Sequence, residues 1–203
     1  MRDAIKNTTT SYGSVARWLH WSVALLFLAG YCAVYYRHWF TEKETPENWT
    51  ALQLHLSVGI TIGVFVILRV IWTAMNDKPD LPPGKPWEHH LARLGHFMLY
   101  FFMIAMPLTG YLGTGVATEF FKLFTVPKFE DTILFQLLVV RGLGMTFEEF
   151  ESYIDFFHKR SGRYLVWVLI LIHVTAAAYH HYVKRDNTLL RMLKGGQSAG
   201  ARQ

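Results

Sequence analysis

Four stretches of the chain are apolar almost without interruption, and polar or turn-rich segments separate them. They cover about 18–36, 52–75, 91–116 and 160–183, each close to the roughly 20 apolar residues a helix needs to cross a hydrocarbon core. No span carries a carboxylate near its centre. The pattern predicts an all-α membrane protein, a four-transmembrane-helix bundle forming a single domain over 1–203. Residues 1–16 are polar and expected to be mobile or interfacial. Two short turns, TEKETPENW and the proline-rich NDKPDLPPGKPWEHH, join the first three helices. The third connection, a long external loop over 117–157, exceeds what bundle helices need. It contains TFEEFESYIDFF, expected as an amphipathic helix on the outer surface. Pro107 is expected to kink the third helix.

Composition agrees with this reading and narrows it. The 203 residues are 52% hydrophobic and only 17% charged, too apolar and charge-poor for an ordinary soluble domain. One cysteine, Cys32, excludes an intramolecular disulfide, a cysteine-based zinc site and an iron–sulfur cluster within the chain. No cleavable signal follows the first apolar run. The net charge of +5 sits beside the apolar runs, so nucleic acid is not an expected partner. The tail up to Arg17 nets +2, 37–54 nets −1, 69–95 nets +1, 115–158 nets −4 and the tail from Tyr182 nets +4. Lys and Arg collect on the cytoplasmic side of a membrane, which places both termini and the middle loop there. Asn48-Trp49-Thr50 matches a glycosylation sequon.

Ionisable residues at membrane depth point to function, and here they are histidines. His20 lies about one turn into the first span, His55 near the external end of the second, and His173 deep in the fourth. His158 stands at the entrance of the fourth, fifteen residues before His173. At about 1.5 Å per residue this spacing covers roughly 22 Å of helix, and at about 100° per residue it keeps both on one broad face. His173 then reaches the depth of His20, and His158 that of His55. A single histidine in a span is explained by hydrogen-bonded packing; four at two matched depths suit two stacked haems, each held by two imidazoles. Neutral imidazole also avoids burying net charge on each ligand. A metal-ion transporter would cluster its histidines at one depth with carboxylates.

Other positions admit two readings each. Ser57, Gly59 and Gly63 allow close approach of either a helix backbone or a flat ring. Arg69 either snorkels to headgroups or pairs with an acidic group of a ligand. His96 is a polar contact between helices or a group that supports a ligand. His89, His90, His180 and His181 gather on the cytoplasmic side, as interfacial residues or as donors and proton carriers at a quinone site.

RWLHW in the first span, LQLHLSVG in the second, LGHFMLY with Pro107 in the third, and LIHVTAAAYHHYVKRDNTLLRML at the end resemble the bacterial cytochrome b561 family. These are small four-helix di-haem cytochromes of the inner membrane. The resemblance covers the spans and the C-terminal segment, not the N-terminal tail or the long third loop. It implies two haem b groups held by His20 with His173 and by His55 with His158. The family spacing between the two ligands of the fourth helix is expected to be fourteen; the fifteen found here calls for a π-bulge or an altered helix start.

The family includes superoxide:ubiquinone oxidoreductases. The resemblance therefore implies an oxidoreductase that takes electrons from superoxide at the periplasmic face and passes them to ubiquinone. His180, His181 and Arg69 are then the quinone candidates. Lys159, Arg160 and Arg163 at the outer mouth would steer an anion, or else simply snorkel at a helix start. The alternative is a cytochrome b electron-transfer subunit whose outer loop docks a periplasmic redox protein. The expected surroundings are membrane lipid and the bacterial inner membrane.

Overall fold

A computed structural model describes residues 4–195; Arg2, Asp3 and Arg202, counted in the tail charges, lie outside the described residues. Four helices are long and apolar enough to cross a membrane: Ser14–Phe40, Pro46–Met75, Pro86–Leu112 and Phe147–Tyr182. The first three are α1, α2 and α3. α2 and α3 each open on proline with a glutamate in the first turn, Glu47 and Glu88. Proline loses nothing there, because the first helical N–H has no partner in any case, and an acid favours the positive end of the helix dipole. Large apolar side chains such as Leu25, Leu28, Ile67, Leu171 and Ile172 stay uncovered by protein, as lipid-facing residues should.

α3 ends at Leu112, short of the expected 116, and continues unbroken through Pro107. The chain then forms a hairpin where a loop was expected. β1 (Thr118–Phe120) pairs antiparallel with β2 (Phe124–Val126), Phe120 opposite Phe124. Phe121 and Lys122 at its tip have φ of 46° and 61°, and Leu123 N–H closes the turn on Phe120 O at 2.9 Å. Two left-handed residues in succession make a type I′ turn, normally built from Asn or Gly. Here α2 holds the unfavourable turn in place. Gln53 Nε2 donates to Ala117 O at 3.1 Å, and its Oε1 accepts from Glu119 N–H at 2.7 Å. One helical turn on, Ser57 Oγ accepts from Phe121 N–H at 3.0 Å and donates to Glu119 O at 3.3 Å. Ser57 thus serves the hairpin rather than a ring or a facing helix.

The rest of the connection is also structured. A 3₁₀ turn, Phe129–Asp131, leads into α4 (Ile133–Phe135) and a π turn, Gln136–Arg141. Phe129, Phe135 and Val139 form a small core beneath Tyr111, Phe147 and Phe150. Gly144 takes φ of 68° to turn the chain, and Thr146 and Glu149 form a reciprocal capping box. That cap starts α5, Phe147–Arg160. TFEEFESYIDFF thus forms the expected amphipathic helix, which runs on as the opening of the fourth membrane helix. A π turn over Ser161–Leu165 joins α5 to α6, Val166–Tyr182. One π turn takes up one extra residue of helix, and this one lies between His158 and His173, where a π-bulge was one of the two expectations.

By its contacts the chain divides into two compact units, and each long helix contributes to both. The first comprises Met1–Val23, Phe65–Phe102 and Leu165–Gln203; the second comprises Ala24–Val64 and Met103–Tyr164. In the first, residues 4–13 are ordered rather than loose. Asn7 Oδ1 accepts from Gly13 N–H at 2.9 Å, and Thr9 O accepts from Asp80 N–H at 2.8 Å. The short α7, Thr188–Leu193, is held by Trp21 Nε1 donating to Met192 O at 3.0 Å and by Arg191 donating to Asp80 O at 2.7 Å. In the second, Asn48 of the sequon is buried, and its amide bonds Arg37 and Thr41. That makes it a structural residue and not a glycan acceptor.

Gln53→Ala removes the partner of the Glu119 N–H and of the Ala117 carbonyl, a loss of about 0.5–1.5 kcal/mol for each hydrogen bond. The expected result is a lower thermal midpoint in detergent and faster proteolysis within 118–126, with the haem spectrum retained.

Candidate functional site

The first constellation lies in the second unit. His55 on α2 and His158 on α5 face each other with ring centres 6.4 Å apart and planes at 80°. Both rings are half-buried and both are oriented through Nδ1. The His55 nitrogen lies 3.0 Å from Gly30 O on α1. A carbonyl only accepts, so His55 carries its proton on Nδ1. The His158 nitrogen lies 3.1 Å from Thr109 Oγ1. Thr109 in turn lies within donating distance of Ala105 O at 2.6 Å and Met106 O at 3.2 Å. Its one proton goes to that helix backbone, leaving its oxygen to accept from His158. Both Nε2 atoms are then bare lone pairs, with no hydrogen-bond donor among the described residues.

Space is shaped around this pair. A Cβ on Gly110 would lie 3.1 Å from His158 Cε1, so the imidazole rests on the α3 backbone where only glycine leaves room. A Cβ on Gly63 would lie 3.7 Å from that of Pro107, ordinary helix packing, whereas one on Gly59 would meet nothing within 4 Å.

The second constellation lies in the first unit. His20 on α1 and His173 on α6 have ring centres 6.2 Å apart at 57°. His96 on α3 stands edge-on to His173 at 5.7 Å, and its Nδ1 bonds Ala92 O one turn back at 2.7 Å. It is thus a neighbour of a candidate ligand. His20 Nδ1 is buried without a hydrogen-bond partner. Arg69 lies over the Tyr100 ring at 5.5 Å, and Tyr100 also meets Thr73 at 3.2 Å.

These distances allow a test of fit. Imidazole–metal bonds of about 2 Å on opposite sides of one metal put the two ring centres about 6 Å apart. Both pairs have that separation. Among the described residues no group of three or more His, Cys, Asp or Glu could hold a bare ion. Two imidazoles alone would leave such an ion short of donors, whereas a porphyrin brings four nitrogens of its own. Residues 11–195 match the family model described as prokaryotic cytochrome b561. The chain belongs to that family.

The cytochrome b561 match runs through the hairpin connection, which the sequence motifs had left outside the resemblance. Cytochrome b561 homolog 1 of Escherichia coli (strain K12) is 31% identical over 185 residues, 87% of this chain and 93% of that protein. Homolog 2 of the same organism is 30% identical over 201 residues, 92% and 93% respectively. A probable superoxide oxidase CybB of Yersinia pestis is 27% identical over 176 residues, 86% and 91%. This cytochrome b561 is a multi-pass bacterial membrane protein that carries electrons and binds haem b.

The remaining candidates divide. Lys159 is ion-paired with Asp155, and the Arg160 guanidinium lies 5.7 Å from the ring centres of both Phe156 and Tyr164. Arg163 is exposed and has no carboxylate partner among the described residues. His181 packs edge-on to Tyr182 at 4.8 Å. His89 bonds Pro82 O at 3.1 Å and His90 bonds Pro86 O at 2.6 Å, both serving the loop that opens α3. His180 donates to Asp186 at 2.5 Å, and Lys184 pairs with Glu88 at 2.6 Å. Gln53, Thr109 and Gly110 went unnoticed in the sequence. Nothing in their types or spacing marks them, because their roles arise from elements far away in the chain.

Two outcomes follow from these contacts. Gly110→Val should displace His158 and lower the haem-to-protein ratio while circular dichroism keeps its helical signal. Gly110→Ala needs a shift of only a few tenths of an ångström and should retain more haem. For Asp186, burial opposes ionisation, but the hydrogen bonds from His180 and Thr188 outweigh it and lower the carboxyl below its ordinary value. A depressed folded value means stability that is complete above the ordinary carboxylate range and lost as the pH falls through the folded one. Asp186→Asn should therefore melt earlier than the wild type at neutral pH, and the two midpoints should converge in acid.

Proposed function

We propose that His20 with His173, and His55 with His158, are the axial ligands of two haem b groups, and that the chain oxidises superoxide at the periplasmic face and reduces ubiquinone. Both termini then lie in the cytoplasm, and the membrane is the bacterial inner membrane. The observation that carries the reading is the spacing of the two pairs, 6.2 and 6.4 Å between ring centres, with the Nδ1 protons of the second pair engaged away from Nε2.

Bound haem supplies reversible one-electron chemistry at iron. The chain provides position, charge and exclusion of water. Gly30 O and Thr109 Oγ1 hold two imidazoles in the tautomer that presents an unprotonated Nε2. Lys159, Arg160 and Arg163 give the end of α5 and the π turn after it a cationic character that attracts an anion. Arg163 is the most available of the three, since Lys159 is held by Asp155 and Arg160 covers two aromatic rings. Arg69 and Tyr100 offer a donor and a phenol to a quinone carbonyl, and His180 and His181 are its proton carriers. The name of the Yersinia pestis relative supports the choice of superoxide.

Purified protein should contain two b haems per chain, low-spin when oxidised and when reduced. Each of His20→Ala, His55→Ala, His158→Ala and His173→Ala should lower the count to one or fewer. Superoxide should then drive ubiquinone reduction with no other protein present, and Arg163→Ala should reduce the rate more at low than at high ionic strength. Full haem content with reduction only by a co-purifying redox protein would mark the chain as an electron-transfer subunit instead. Folded protein that binds no haem removes the ligand assignment.

A further inference from the structure

We infer that the two histidine pairs are tuned to different electron affinities by what their Nδ1 atoms meet, that the His55–His158 pair is the weaker acceptor, and that Thr109 is a positioning residue for this difference. The inference rests on the ligand assignment proposed above.

An imidazole that donates from Nδ1 gains basicity at Nε2, and a stronger nitrogen donor favours the ferric over the ferrous state. In the second unit both rings have such a partner, Gly30 O at 3.0 Å and Thr109 Oγ1 at 3.1 Å. The Thr109 contact is effective because the hydroxyl proton is committed to Ala105 O or Met106 O, so the oxygen offers only lone pairs to His158. In the first unit the corresponding atom of His20 is buried with no partner. No acceptor strengthens that ring as a donor.

One electron therefore moves downhill from the His55–His158 pair to the His20–His173 pair. With haem bound, the iron held by His55 and His158 would be oxidised and the iron held by His20 and His173 reduced by that one electron, with no proton needed.

The test is a spectroelectrochemical titration of the haem-loaded full chain. The wild type should show two waves. Thr109→Val removes the hydroxyl acceptor at nearly constant volume, leaving the Met106 carbonyl as the remaining acceptor for that ring, and should raise the lower midpoint, leave the upper one in place and keep two haems. Thr109→Ser retains the oxygen and should leave both midpoints unchanged. His158→Met introduces a thioether ligand, which raises a haem potential, and should move the lower wave; it assigns that wave even where Thr109→Val loses a haem. The proposal is overturned if two haems titrate at one potential, or if Thr109→Val with two haems moves the upper wave or neither. It is overturned equally if His158→Met moves the upper wave. Fewer than two haems in the wild type defeats the ligand assignment first, and haem quantitation shows this before any titration.

Discussion

Everything near the two histidine pairs depends on one constraint: an imidazole inside an apolar bundle must stay neutral, and both of its nitrogens must still be accounted for. A neutral ring has one N–H and one lone pair, and leaving either unpaired away from water costs about 1–3 kcal/mol. For His55 and His158 the N–H is settled by a helix carbonyl and by a threonine whose own proton is used elsewhere. The lone pairs are left for an electron-pair acceptor. A site of this kind has a deficit of Lewis acid rather than of hydrogen bonds, which is the deficit that the haem iron proposed for it would meet.

The position of His55 is fixed from two sides of the same helix. Gln53 and Ser57, one turn apart, hold the hairpin through backbone groups of 117–121. His55 is two residues from each, about 200° around the helix axis, and bonds α1 through Gly30. The hairpin is therefore more than a loop that happens to be ordered. Phe121 and Lys122 are held in a conformation that neither residue favours, and polar groups on α2 stabilise the turn that holds them.

Helices, spans and the histidine pairing were legible because they rest on local signals: apolar runs, proline starts, and ring spacing along one helix. The start of α5 was legible too. Thr146 followed three residues later by Glu149 is a capping-box signature, yet the acidic aromatic stretch behind it read as a surface helix because its first turns are polar. The hairpin could not be read. A type I′ turn announces itself by Asn or Gly, and FFKL has neither. Thr109 and Gly110 were hidden for a different reason. In PLTGY they look like ordinary packing residues of a membrane helix, and only the approach of His158, 49 residues later, gives them a task.

The π turn between His158 and His173 places demands of its own on its surroundings. A π turn widens the helix and loosens the regular i to i+4 bonding of its carbonyls. Within a hydrocarbon core a carbonyl without a donor is costly. Gly162, inside that turn, presents its carbonyl to the Tyr31 hydroxyl of α1 at 2.7 Å. The missing side chain at Gly162 also leaves room for Met106, whose Cε would stand 3.1 Å from an added Cβ. Thr109, one turn beyond Met106 on α3, holds His158. The π turn, the glycine within it and the tyrosine that bonds its carbonyl thus act together, one turn of α3 away from the threonine that holds His158.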